Sequence, residues 1–311
     1  MRPSLALLLP ALLALPHPGR AATGYAGEFL AVGAGARGLA LGSAYVAMAE
    51  DATAGYWNSA GLAQPAESQA HFMHAERFEG LVDQDFLALS FRGPWFDGMA
   101  LGLLRVGVDD IQLTTLQDPG SPIGPDNRPV VASTASSADY ALYLSGARQL
   151  GERLDLGVSF KTIYRTIDTH TAYGFGADLG VRYELRPGVV LGANLRDLTS
   201  TPIFWDTDAT DRIMPSLALG LALSRQVGGG RVTLALGSRA GGDAEDAGHP
   251  QPVLGGLEYE VGMVALRAGI DETRQSFGIG LRPLPKLRLD VAYLQHDELE
   301  ATYLVSAIVG L

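Results

Sequence analysis

Most of this chain alternates between apolar and polar or small residues with a period of two. In residues 173–184, YGFGADLGVRYE, every odd-numbered position is apolar and every even-numbered position is Gly, Asp, Arg or Glu. Successive side chains of a β-strand point to opposite faces, so this segment predicts a strand with one apolar face. The pattern recurs in 154–164, 217–224, 277–282 and 287–293. The chain is therefore predicted to be all-β and built from long antiparallel strands.

Both a soluble β-sandwich and a transmembrane β-barrel would show this alternation, and three features favour the barrel. The alternating segments run for about nine to fifteen residues, longer than the usual strand of five or six. Their second face carries Gly, Asp, Arg and Lys, which suits a polar lumen. Aromatic residues lie near the predicted strand ends, as in the girdles at membrane interfaces. These residues are Tyr164, Tyr173, Tyr183, Tyr259, Tyr293 and Tyr303.

The alternating segments predict about fourteen strands. Their spans are 70–78, 84–92, 98–112, 137–148, 153–167, 171–184, 189–198, 212–225, 231–240, 252–261, 263–272, 275–282, 287–295 and 299–311. Bacterial barrels have short periplasmic turns and longer outer loops. The three long connections, 113–136, 199–211 and 241–251, all follow odd-numbered strands. This parity predicts that the first strand runs outward and that the long loops are extracellular.

The first 21 residues, MRPSLALLLPALLALPHPGRA, predict a secretory signal that is cleaved after Ala21. A transmembrane anchor is the alternative, but a spanning helix needs about twenty apolar residues, and the apolar run from Leu5 to Leu15 is shorter. Loss of Arg2 and Arg20 would change the formal net charge from −11 to −13. An acidic chain without a Lys/Arg cluster does not fit nucleic-acid binding. We expect a location in the bacterial outer membrane, in contact with lipid.

Residues 35–63, GARGLALGSAYVAMAEDATAGYWNSAGLA, break the alternation. Leu41, Tyr45 and Met48 have the spacing of a narrow apolar helix face, and most other positions are small. A lumen of about fourteen strands is too wide for its own side chains to fill. The sequence therefore predicts a slim plug helix against a glycine-rich inner wall, with a periplasmic helix or a linker as alternatives. The predicted organisation is a signal peptide at 1–21, a plug segment at 22–69 and a barrel at 70–311.

The same segment resembles the N-terminal signature of the PorV/PorQ family of outer-membrane proteins. That family belongs with FadL, the transporters of hydrophobic compounds, in one superfamily of fourteen-stranded barrels. The predicted plug and turn residues are Gly35, Arg37, Leu41, Gly42, Tyr45, Met48, Asp51, Tyr56, Trp57, Asn58, Ser59 and Gly61. The family usually has Asn-Pro-Ala-Gly where this chain has Asn58-Ser59-Ala60-Gly61. Ser59 restores an N–H and frees φ, which predicts a more pliant turn.

The resemblance implies two alternative functions. A PorV/PorQ-like barrel would act in protein export or surface attachment and would bind exported proteins or secretion components. A FadL-like barrel would instead take up long-chain fatty acids or other hydrophobic compounds. Pro215, inside the predicted strand 212–225, would in the second case mark a wall defect, because Pro removes a ladder donor. The simpler interpretation places Pro215 at the outer end of its strand.

The sequence offers little for catalysis. It contains neither a nucleophile-elbow serine nor a phosphate loop, so we expect neither an enzyme nor a bound cofactor. His71 and His74 are three residues apart on a strand and cannot share a metal ion. Asp206, Asp208 and Asp211 form a weak Ca²⁺ candidate, and a solvated acidic loop is the alternative.

Nine charged residues are predicted to face the lumen. They are Lys161, Asp178, Arg182, Glu258, Arg267, Asp271, Arg282, Arg288 and Asp290. We expect most of them to pair with one another or with the plug, and a role in solute selection is the alternative.

Overall fold

The computed structural model describes residues 26–64, 67–242, 253–272, 274–296 and 299–311; the predicted signal peptide, 1–21, lies outside them. The strands are β1 (Gln69–Arg77), β2 (Val82–Phe91), β3 (Gly98–Leu116), β4 (Pro129–Leu150), β5 (Leu154–Ile167), β6 (His170–Arg186), β7 (Val189–Arg196), β8 (Thr201–Trp205), β9 (Thr210–Ile213), β10 (Ser216–Val227), β11 (Gly230–Gly241), β12 (Val253–Val261), β13 (Val264–Asp271), β14 (Arg274–Leu284), β15 (Leu287–Leu294) and β16 (Thr302–Gly310).

Fourteen of these strands, β1–β7 and β10–β16, form one closed antiparallel barrel, which confirms the predicted fold class. Each strand pairs with its neighbour along the chain, and β7 pairs with β10 across the inserted hairpin β8–β9. The ring closes between β1 and β16, where Gln69 lies opposite Gly310. Closure leaves the barrel wall without an edge, so backbone hydrogen bonds are satisfied within lipid.

The outer face of the barrel is apolar, as the alternation predicts. In β6, Tyr173, Phe175 and Leu179 are exposed, whereas the intervening Asp178 and Arg182 are buried inside the barrel. The same outward apolar face is present on strands around the whole ring. Exposed apolar side chains on this scale require a lipid environment.

The connection predicted at 113–136 is mostly strand. β3 extends to Leu116 and β4 begins at Pro129, with a short tip at 117–128. β2 pairs with β3 only as far as Gly107, and β5 pairs with β4 only as far as Ser137. The remaining part of the β3–β4 pair therefore projects beyond the barrel rim. We call residues 108–116 with 129–136 the projecting arm.

The connection predicted at 199–211 also contains structure. β8 and β9 form a hairpin, and β8 pairs with the outer end of β6. The predicted strand 212–225 is interrupted at Met214 and Pro215, and β10 begins at Ser216. Pro215 therefore lies just before the first residue of β10, at the end of the barrel that carries the long connections, and its carbonyl accepts a hydrogen bond from Gly242 N–H at 3.0 Å. Of the predicted connection 241–251, residues 243–251 lie outside the described residues.

Residues 26–64, here called the inner segment, do not form the single helix that the spacing predicts. They contain two short helices, α1 (Ala36–Ala40) and α2 (Ala54–Trp57), and two 3₁₀ turns, Glu28–Leu30 and Ser59–Ala63. Gly42 and Ser43 both have φ of 60°, which leaves the helical region and ends the first helix. No helix in the described part of the chain is long and apolar enough to cross a membrane.

Candidate functional site: the lumen and the inner segment

The inner segment follows the inside of the barrel wall, and glycines of the wall make room for its backbone. A Cβ added to Gly192 would lie 2.6 Å from the Val46 carbonyl oxygen, and one added to Gly256 would lie 2.6 Å from that of Leu41. The inward glycines in such contact with the segment are Gly157, Gly180, Gly192, Gly220, Gly256, Gly269 and Gly278. They lie on seven of the fourteen barrel strands, so the wall accommodates the segment along about half of the circumference.

This fit predicts that Gly256→Ala destabilises the protein whereas Gly255→Ala does so far less. The Gly256 methyl would push the Leu41 backbone off the wall, and overpacking of this kind costs about 1–3 kcal/mol. The neighbouring Gly255 meets only the flexible Ile270 side chain at 3.2 Å. Urea unfolding in liposomes measures the stability of each variant. The current across a planar bilayer measures how many ions leak through the barrel. Equal behaviour of the two variants would contradict a close fit between segment and wall.

Two aromatic residues tie the inner segment together. The Tyr56 hydroxyl donates to the Leu30 carbonyl at 2.6 Å and accepts from Gly33 N–H at 2.9 Å. The Trp57 indole donates to the Ala34 carbonyl at 2.7 Å. Because these bonds join positions more than twenty residues apart in sequence, they fold the segment into one compact body.

Asn58 fixes the segment to the wall. Its side-chain oxygen caps the following 3₁₀ turn by accepting from Ala60 N–H at 3.2 Å. Its amide donates to the carbonyls of Val46, within the segment, and Val181, on β6, at 2.9 and 3.0 Å. One buried amide therefore joins the two parts of the segment to the barrel. The adjacent Ser59 hydroxyl is buried and has no hydrogen-bond partner in the part of the chain that the structure describes.

The glycines of the signature serve two different purposes. Gly35 and Gly42 have positive φ, of 83° and 60°, which favours glycine. Gly61 does not have positive φ. Glycine is required at position 61 for a steric reason, because an added Cβ would lie 1.7 Å from the Ala49 carbonyl oxygen.

A cluster of five charged residues, here called the charged cluster, joins the inner segment to β12, β13 and β15. Glu258 accepts from Arg37 Nε at 2.8 Å and from Arg267 Nε at 2.6 Å. Arg267 also contacts Asp290 at 2.8 Å, and Arg288 Nε lies 2.9 Å from the same carboxylate. Because Glu258, Arg267 and Asp290 have almost no exposed side-chain surface, water screens these pairs little.

The charged cluster continues into the inner segment through Tyr45. The Tyr45 hydroxyl lies 3.1 Å from Arg37 Nη1 and donates to Asp51 at 3.0 Å. Burial raises the pKa of Tyr45, so its hydroxyl stays protonated and can donate. Burial alone would raise the pKa of Asp51, but His71 and the Thr53 hydroxyl outweigh burial and hold that pKa below its usual value. Asp51 therefore remains an acceptor for this chain of contacts.

The other predicted lumen charges fall into separate groups. Lys161 Nζ lies 2.8 Å from both Asp178 and Asp197, and all three side chains are buried. Asp271 pairs at the outer end with Arg239 and Arg274, both at 3.3 Å. Arg282 is exposed at the short-turn end and has no ion-pair partner among the described residues.

Arg182 bridges the wall to the inner segment. It contacts Asp155 at 3.0 Å and also pairs with Glu50. Asp155 in turn accepts from the Gln64 amide at 3.1 and 3.2 Å. Asp155, Asp197 and Glu50 were not among the predicted lumen charges. Strand parity alone places Asp155 inside, whereas nothing in the local pattern indicates a partner for Glu50.

One sector of the inner wall carries large apolar side chains, although the sequence pattern predicted a polar lumen. On β1–β5 the largest buried inward apolar side chains are Met73, Phe86, Leu104, Tyr143 and Ile163, here called the apolar sector, and buried polar residues such as His71, Gln84 and Lys161 lie on the same strands. The Tyr56 ring packs edge-on against Phe86 and Tyr143, with centroids 6.2 and 5.9 Å apart. Tyr56 therefore packs on the apolar sector of the lumen, whereas Tyr45 and Arg37 lie on the charged side.

The predicted Ca²⁺ ligands lie in and beside the β8–β9 turn. Asp206 accepts from Thr171 N–H at 2.9 Å, and this bond lowers the pKa of Asp206. Asp211 accepts from the Trp205 indole at 2.8 Å, and Asp208 occupies the turn with φ of 63°. Two of the three carboxylates thus bind donors of the protein, and the described residues contain no group arranged to hold a metal ion.

The comparisons with known proteins identify the fold. No protein-family model and no curated protein sequence matches the chain. The barrel is similar to the Ralstonia pickettii toluene transporter TbuX, with a TM-score of 0.58, 11% identity and coverage of 90% of this chain and 98% of that one. The CymD monoaromatic hydrocarbon channel has a TM-score of 0.55 and 14% identity, with coverage of 90% of this chain and 98% of that one. The P. putida toluene transporter TodX has a TM-score of 0.53 and 13% identity, with coverage of 84% of this chain and 94% of that one.

These similarities cover the barrel over nearly its whole length. At 11–14% identity they show a shared fold, which is that of outer-membrane channel and transporter barrels. The predicted location in the bacterial outer membrane agrees with this fold and with the apolar outer face.

Proposed function

We propose that this protein is an outer-membrane channel for small hydrophobic compounds and that the inner segment closes it at rest. The observation that carries the proposal is a fourteen-stranded barrel with its N-terminal segment seated in the lumen, in the same fold as toluene transporters and a monoaromatic hydrocarbon channel. A role of this kind requires a pathway through the lumen and no catalytic group.

The apolar sector supports a hydrophobic cargo. Porin lumens that pass hydrophilic solutes are polar, whereas sites for hydrophobic ligands are lined by apolar and aromatic side chains. Here Met73, Phe86 and Leu104 face inward, and the Tyr56 ring packs edge-on against Phe86. A hydrophobic compound could use this surface only when Tyr56 and the rest of the inner segment move away.

The proposal predicts that tying the inner segment to the wall stops uptake. The chain has no cysteine, so Ala47→Cys with Gly220→Cys introduces the sole pair of thiols. A Cβ at Gly220 would lie 3.3 Å from Ala47 Cβ, close to the 3.5–4.5 Å of natural disulfides. The oxidised double variant should take up radiolabelled toluene at the background rate, and reduction should restore uptake, because only the reduced segment can move.

Each single-cysteine variant provides a matched control, since it carries the same local change without the cross-link. Uptake is measured in a Gram-negative host with intact lipopolysaccharide, which slows diffusion of toluene through the bilayer. Unchanged uptake by the cross-linked protein would contradict a pathway that requires the segment to move. Background uptake by the wild-type protein would contradict the cargo class.

A second candidate function is a PorV/PorQ-like role in protein export or surface attachment. The projecting arm favours it, because residues 108–116 and 129–136 extend beyond the barrel and expose Leu113, Val130 and Val131. Isolated two-stranded hairpins are marginally stable, so a protein partner would stabilise this arm. A pulldown from solubilised outer membrane should then recover a secreted or surface protein, and its loss on deletion of residues 111–134 would locate the contact. Recovery of the barrel alone would count against this function.

A further inference from the structure

A cavity of about 240 Å³ opens at the short-turn end of the barrel, beside the charged cluster. The rule that short turns are periplasmic places it at the periplasmic mouth of the lumen. It is lined by the ends of β10–β15 and the turns at 228–229 and 262–263. This is the volume that roughly eight water molecules occupy in the liquid, which suits a small molecule rather than a polypeptide chain.

The cavity is positively charged in an otherwise acidic protein. Arg231, Arg282 and Arg288 line it, against the single carboxylate of Glu260. Arg231 already pairs with Glu260 at 2.6 Å, whereas Arg282 has no ion-pair partner among the described residues. Arg282 therefore remains without a carboxylate partner and Arg288 shares its partner, Asp290, with Arg267, although the chain as a whole has a net charge of −11.

Arg288 is held in place on one side only. Its Nε lies 2.9 Å from Asp290, which Arg267 also contacts. Among the described residues, Arg288 Nη2 and Arg267 Nη2 are buried without an acceptor, and Asp290 Oδ2 is buried without a hydrogen-bond donor. Gly280 borders this space, since a Cβ there would lie 2.5 Å from Asp290 Oδ1 and 2.8 Å from both terminal nitrogens of Arg267. The charged cluster contains three guanidinium groups and two carboxylates, so it carries a net positive charge beside the cavity.

We propose that this cavity binds a small oxyanion, a carboxylate or a phosphate, between Arg282 and Arg288. Guanidinium groups recognise both through paired N–H···O bonds. Glu260 lies on the opposite side of the same cavity and repels the ligand. The site is separate from the apolar sector, so it does not depend on the identity of the hydrophobic cargo.

The test uses the full-length protein in detergent and the ¹⁹F NMR line width of 4-fluorobenzoate. Arg282→Gln should weaken binding about tenfold, the loss expected for one charge-assisted hydrogen bond. Glu260→Gln should tighten binding several-fold, because it removes the repelling carboxylate and frees Arg231. Arg225→Gln removes an exposed charge from the same end of the barrel without touching the cavity, and its affinity should match the wild type.

The opposite signs for Arg282→Gln and Glu260→Gln separate a binding site from a general loss of structure. Neutral 4-fluorobenzyl alcohol should not bind this cavity, and any binding it shows in the apolar sector should be unaffected by Arg282→Gln. Displacement of fluorobenzoate by inorganic phosphate supports a general oxyanion site, and failure to displace it supports a carboxylate site. No broadening by fluorobenzoate, equal losses for Arg282→Gln and Arg225→Gln, or weaker binding by Glu260→Gln would overturn the proposal.

Discussion

Deletion of residues 35–62 should turn a nearly silent barrel into one that conducts ions. The barrel does not need this segment for closure, because β1 pairs with β16 and β2 through residues outside it. Between Ala34 and Leu62 almost every side chain is buried against the wall or within the segment. Its removal leaves a wide lumen, since about fourteen strands enclose more space than their own side chains fill. Water entering that space would solvate the charges that the segment now covers.

The measurement is single-channel current in planar bilayers for the intact and the deleted protein. Replacement of residues 35–62 by a Gly/Ser linker of equal length controls for chain connectivity and should conduct like the deletion. Heat-dependent gel migration verifies that each barrel has folded. Equal current from intact and deleted forms would show that the segment does not block ion flow.

The second large effect concerns Glu258, which is the shared acceptor of the charged cluster. Glu258→Gln should lower the free energy of unfolding by about 3–5 kcal/mol, the range observed when one partner of a buried ion pair is removed. The substitution leaves Arg37 without a carboxylate partner, and Arg267 and Arg288 still share Asp290. Arg37→Met should cost much less, about 1 kcal/mol, because Glu258 keeps its bond to Arg267 at 2.6 Å.

Urea unfolding in liposomes gives both losses, and bilayer current shows whether the inner segment is released. The double variant Arg37→Met with Glu258→Gln should recover part of the loss, because it removes one of the unpaired cations. Equal losses for the two single variants would contradict a central role for Glu258 and place the stability in the packing of the segment instead.

Much of the barrel was predictable from local pattern. The alternation in β6 assigns Phe175 to lipid and Asp178 to the lumen, and the structure agrees. The prediction failed where a strand continues beyond the membrane, as in β3 and β4, because polar Ser and Thr residues there do not alternate with apolar ones. It also failed for the inner segment, where positive φ at Ser43 interrupts a helical spacing.

The functional site was predictable in composition and not in arrangement. Asn58 was identified through the signature, but its bond to the Val181 carbonyl joins positions 123 residues apart. The apolar sector was missed because β2 and β3 carry apolar residues on both faces. An inward Phe86 or Leu104 therefore does not stand out from the lipid-facing residues beside it.

The sequence by itself determined most of the strands and their closure into a barrel, since side-chain period and turn length act over a few residues. The tertiary structure decided the path of the inner segment, the pairing of Arg37 with Glu258 and the charge of the periplasmic cavity. Those contacts join residues that are brought together only by the register of distant strands. The free energy of each contact depends on burial that exists only after the barrel has closed around the segment.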